Sequence, residues 1–130
     1  MNEDTINKLD TTLSCVKGEI EEILKKTDAF LREPSLKGYM SDLQHVHEAC
    51  AQLLDKSTTM LSKDVLTKQM GNPDFATYLA NSRHDLLNPL SVINGYLEMI
   101  SEENSDFAPE IHKMLLRVNK IVDAIHGLKE

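Results

Sequence analysis

Arg83-His84-Asp85-Leu86-Leu87-Asn88-Pro89-Leu90 runs directly into Ser91-Val92-Ile93-Asn94-Gly95-Tyr96-Leu97-Glu98-Met99-Ile100. Apolar residues fall at Phe75, Leu79, Leu86, Leu90, Ile93, Leu97 and Ile100, with Ser82 in one gap. Steps of three, four or seven describe one face of an α-helix. His84 lies off that face. Asn88 follows four residues later, one turn along on the same side. Asp85 is close enough in sequence to bend back toward the ring. Pro89 has no N–H for the carbonyl of Asp85 and crowds it, which predicts a bend and a freed acceptor. An exposed imidazole beside a carboxylate, an amide and a proline reads as a site and not as core.

The stretch resembles the H-box of sensor histidine kinases, found in their dimerisation and phosphoacceptor domain of the His kinase A type. The family pattern is His, an acid, two variable residues, Thr or Asn, Pro, Leu, then an apolar helix often bearing Gly-Tyr. Here it reads His84, Asp85, Leu86-Leu87, Asn88, Pro89, Leu90 and Gly95-Tyr96. Asp85 stands where Glu is commoner and Asn88 where Thr is commoner. Leu87 replaces a residue that is often basic. The resemblance spans roughly Asp74 to Glu130. It implies a phosphoryl group carried on His84 and exchanged with the Asp of a response-regulator receiver domain. It also implies a homodimer, in which the second hairpins of two chains form a central four-helix bundle.

Working outward, Ile6, Leu9, Leu13, Val16, Ile20, Ile23 and Phe30, with Thr27 in the remaining slot, keep a 3-4 repeat for four heptads. Asp4 or Thr5 is placed to cap that helix. It stops near Arg32-Glu33-Pro34-Ser35, because a residue before proline leaves the helical region. A second helix is expected from about Leu36 to Leu66. Its stripe includes Leu36, Met40, Leu43, Val46, Cys50, Leu53, Leu54, Met60 and Leu61, with an irregularity at Ser57-Thr58-Thr59. The short connector makes these two antiparallel neighbours.

Gly71-Asn72-Pro73-Asp74 is the clearest boundary. The third helix carries the box to about Ser101 or Glu102. After a polar turn, Pro109 suits the first turn of the fourth. That helix presents Ile111, Leu115, Val118, Val122, Ile125 and Leu128. The reading is all-α, with antiparallel helical hairpins at 1–70 and 74–130 forming a four-helix bundle. No residue-level repeat relates the two. The second hairpin has too little core to stand alone. It must pair with another copy or with the first hairpin.

Composition narrows the function. A net charge of −7 argues against nucleic acid as the main partner, since phosphate binding needs a basic face. No apolar run reaches the roughly 18 residues of a membrane span. The acidic, polar start is not a signal peptide. Cys15 and Cys50 lack metal-ligand spacing and fit a reducing, cytoplasmic setting. His45 and His47 are two apart and point to different sides of their helix, so no metal site is expected. Lys113, Arg117 and Lys120 form a basic face, either simply solvated or helping to attract an acidic partner.

Neutral imidazole is nucleophilic near neutral pH and accepts a phosphoryl group in line. Asp85 would hold the proton of one ring nitrogen or act as general base. Asn88 does not titrate, and by resemblance it positions a water in the reverse, phosphatase reaction. No Gly-rich, phosphate-cradling loop occurs in these residues, so ATP and Mg would enter only through a separate kinase domain or partner. The chain is then part of a histidine kinase, or a phosphotransfer or regulatory module. Two other readings keep a helical bundle: a non-phosphorylated dimerisation and signal-relay module, and a monomeric histidine phosphotransfer domain. The latter family does not usually carry Asn-Pro after its histidine.

Overall fold

The computed structural model describes residues 3–129. They form helices α1 (Glu3–Leu31), α2 (Met40–Leu61), α3 (Lys63–Met70), α4 (Phe75–Glu103) and α5 (Ala108–His126), with a 3₁₀ segment at Pro34–Tyr39 before α2. No strand occurs among the described residues. The four long helices make a ring in which α1 neighbours α2, α2 neighbours α4, α4 neighbours α5, and α5 returns to α1. Neighbours are antiparallel. Tyr78, early in α4, donates from Oη to the carbonyl of Met60, late in α2, at 2.6 Å. Lys26 meets Glu110 at 2.8 Å, and Arg117 meets Glu19 at 2.9 Å, across α1 and α5.

The 3-4 stripe of α1 is buried from Leu9 through Phe30, Thr27 included. Thr27 tolerates this because its Oγ1 donates to the carbonyl of Ile23 at 2.8 Å. The α4 stripe is buried at every expected position, Ser82 included. The apolar side chains of both stripes join one hydrophobic cluster. The apolar faces of α4 and α5 therefore close on α1 and α2 of the same chain. The sequence left open whether a second copy or the first hairpin covers them, and favoured the copy. Here the first hairpin does so.

The second helix departs from its expected span. Leu36 is buried, but in the 3₁₀ turn after Pro34. The helix breaks at Ser62 and not at Ser57-Thr58-Thr59. Ser62 is extended (ψ 149°) and accepts the N–H of Val65 at 3.4 Å, capping α3. Thr58 stays helical by bonding back to Leu54. Met40, placed on the stripe, is exposed. In α5 the face is turned: Met114 and Ile121 are buried, whereas Leu115 and Val122 are only half-buried. Asp4 and Thr5 lie inside α1, so neither caps it. Asp74 is the residue before α4 but makes no side-chain cap, while Asn72 accepts the N–H of Asp74 at 2.9 Å.

Two buried groups yield tests. Ser57 Oγ is fully buried with no hydrogen-bond partner. An orphaned hydroxyl carries a desolvation cost, and Ala has the better helix propensity. Ser57→Ala should raise the unfolding free energy by about 1 kcal/mol in urea titration. Cys50 is buried and its thiol is pushed up to about 12, whereas Cys15 is exposed. A thiol reagent should modify Cys15 in the native protein and reach Cys50 only on unfolding.

Candidate functional site

His84 sits on α4 with its side chain 79 % exposed. Its neighbours Leu86 and Leu90 are fully inside, so the helix is clamped while the ring stands in solvent. Nδ1 of His84 is 3.9 Å from Oδ1 of Asp85. That is an electrostatic approach, longer than a hydrogen bond. A water, or a closing of about 1 Å, completes the contact. Nε2 is the nitrogen left free on the far side of the ring from the contact. Asn88 is exposed one turn along, and its amide makes no hydrogen bond within the described residues. The structure thus brings His84, Asp85 and Asn88 to one exposed edge of α4.

Pro89 is buried inside α4, and the helix runs on through it to Glu103. The missing N–H leaves the Asp85 carbonyl without its usual partner, one turn below and next to His84. Ser91 Oγ donates to the Leu87 carbonyl at 3.3 Å, one turn further on.

Two features escaped the sequence reading. Arg83 Nη1 donates to the carbonyl of Leu128, which fastens α4 beside His84 to the residues following α5. Arg83 sits on the flank of a core stripe, where a long side chain buries its stem and reaches past it. The second feature is a groove of about 430 Å³ between the outer faces of α4 and α5. Leu87, Ser91, Asn94 and Gly95 line it from α4, and Asn119 and Val122 from α5. Leu87, Ser91 and Gly95 follow His84 at helical spacing, so the groove opens one turn from the imidazole. No lining side chain is charged. The departure at Leu87 from a commonly basic position gives the groove an apolar end. Leu87 was the available signal.

His45 and His47 have different surroundings. His45 stacks on Tyr96 with ring centroids 5.2 Å apart, and its Nδ1 is 3.9 Å from Glu48. His47 Nε2 is 3.4 Å from Asp28. Among the described residues no three His, Cys, Asp or Glu side chains gather as a metal site. Of the basic face, Arg117 is turned onto Glu19 and Lys113 lies 3.9 Å from Glu110. Lys26 holds the Glu110 carboxyl below its usual range. These charges serve the bundle.

Residues 76–128 match the family model of the His Kinase A (phospho-acceptor) domain. This segment takes in almost all of α4 and the whole of α5. No curated protein matches the chain, and no solved structure does. No helix among the described residues is long and apolar enough to cross a membrane.

An exposed side chain off the stripe contributes little packing. His84→Gln should shift the unfolding free energy by no more than about 0.5 kcal/mol in either direction, measured by chemical denaturation.

Proposed function

We propose, with the second hairpin's place in the His Kinase A (phospho-acceptor) family as premise, that the chain is a phosphoacceptor module of two-component signalling. His84 carries the phosphoryl group and exchanges it with the Asp of a receiver domain. The observation that supports this most is the exposure of His84 on a clamped helix, with Asp85 at Nδ1 and an uncharged groove one turn away.

In the forward step a lone pair of the imidazole, on Nε2, attacks phosphorus in line. The N–P bond forms as the bond from phosphorus to the donor oxygen breaks, and that oxygen leaves with the electron pair. Asp85 accepts the Nδ1 proton in a hydrogen bond and disperses the positive charge that develops on the ring. Such transfers depend on alignment more than on covalent help. In the reverse sense, a receiver carboxylate takes the phosphoryl group from nitrogen. Asn88, without a hydrogen-bond partner among the described residues, is free to hold a water toward an aspartyl phosphate. ATP and Mg act through a separate kinase domain or partner.

The groove supplies the docking. A helix of the receiver laid between α4 and α5 would bring its neighbouring carboxylate to the His84 end. A reducing, cytoplasmic setting completes the reading, in keeping with two free thiols.

Incubation with a phosphorylated receiver or with a kinase domain in trans should give one label, acid-labile and base-stable, at His84. His84→Gln should abolish it. Asp85→Asn should slow transfer, and Asn88→Ala should impair receiver dephosphorylation while sparing the label. Label that persists in His84→Gln refutes the assignment. A Cβ added at Gly95 would meet nothing within 4 Å, at the open groove. Gly95→Arg should therefore fold and, by helix propensity, gain up to about 1 kcal/mol. It should slow transfer from a receiver but leave labelling by a small phosphoryl donor such as phosphoramidate unchanged. Equal loss with both donors would remove the groove from the reading.

A further inference from the structure

The two hairpins share a hidden correspondence. Helices α1 and α4 are each 29 residues long. At one fixed interval, buried Leu9 matches Leu79, Val16 matches Leu86, Ile20 matches Leu90, Ile23 matches Ile93 and Phe30 matches Ile100. At an interval two residues shorter, Leu43 matches Ile111, Val46 matches Met114, Cys50 matches Val118, Leu53 matches Ile121 and Ser57 matches Ile125. Heptad periodicity alone would allow any slip of seven residues. The helix ends remove that freedom: the shorter interval carries the first residue of α2 onto the first residue of α5, and the longer one brings the last residue of α1 within two residues of the last of α4. The ring of neighbours obeys the same relation: α1–α2 corresponds to α4–α5, and α2–α4 to α5–α1.

The outer grooves correspond too. A groove of about 390 Å³ lies between α1 and α2. Its Leu24, Ala51 and Leu54 match Asn94, Asn119 and Val122 of the α4–α5 groove. The two halves differ in chemistry. The positions matching His84, Asp85, Asn88 and Pro89 hold Ser14, Cys15, Gly18 and Glu19. The α1–α2 groove is charged, with Asp28, Asp55 and His47 in its walls.

We infer that the first hairpin is a built-in counterpart of the second, standing where another copy of the phosphoacceptor hairpin would pack. The chain is then a complete bundle as a monomer, with one acceptor histidine and one uncharged groove, and takes one partner domain per chain. The count of acceptors rests on the proposed role of His84. The one-chain bundle does not.

The test combines mass with a charge exchange. Sedimentation equilibrium should give the mass of one chain, 14.7 kDa, from micromolar to millimolar concentration. Glu19→Arg and Arg117→Glu, made singly, each set like charges together at a contact now 2.9 Å long, and each should lower the melting temperature by several degrees. Both changes in one chain should recover most of that loss, whereas mixing the two single variants and refolding them together should recover none. A two-chain mass, or recovery on mixing, would mean that hairpins are exchanged between chains and would overturn the inference. Failure of His84 to label would count against the proposed function and the acceptor count, and would leave the one-chain bundle to be decided by the mass and the charge exchange.

Discussion

A helix turns by about 100° per residue, and α4 has to satisfy two faces with one run of sequence. Leu86, Leu90, Ile93 and Leu97 must be buried for the bundle to exist. The intervening positions are thereby committed to the outside, and His84 and Asn88 occupy two of them. The burial that stabilises the bundle is also what fixes the direction of the imidazole. Among the described residues the ring has no hydrogen bond to another element, and its one charged neighbour is Asp85 at 3.9 Å. The site is precise because its helix is clamped on the inner side, and accessible because nothing crosses the outer side.

This division explains which parts of the molecule could be read in advance. The α1 and α4 stripes are unambiguous, since each turn offers one apolar side. The box at His84 is legible because five typed positions share one spacing. In α5, by contrast, Met114-Leu115 and Ile121-Val122 are adjacent apolar pairs. Periodicity accepts either member, and the choice belongs to the neighbours: α1 and α4 lie where Met114 and Ile121 point. The break at Ser62 was similarly obscured. The Ser57-Thr58-Thr59 run looks weaker on propensity, but Thr58 repairs itself through a bond to Leu54, and Ser62 has a cap to offer.

The likeness between the hairpins was invisible for a related reason. Core positions constrain burial far more tightly than identity. Thr27 faces the role of Leu97, and Ser57 that of Ile125, so comparison of letters finds nothing. Only the pattern of burial and the matching starts of α2 and α5 reveal it. One half keeps a neutral outer groove and an exposed imidazole, and the other keeps volume and charge pairs. A bundle divided in this way can alter the half that carries His84 without asking a second chain to change in step.

The bond from Arg83 to the Leu128 carbonyl has a mechanical meaning. It crosses from the residue next to His84 to the segment just past the last helix turn. The segment just past α5 and the turn of α4 that carries the imidazole are therefore tied to each other directly as well as through the packed interior. Slackening the clasp would free the Arg83 cation beside His84, where a dianionic phosphoryl group would be its natural counterion.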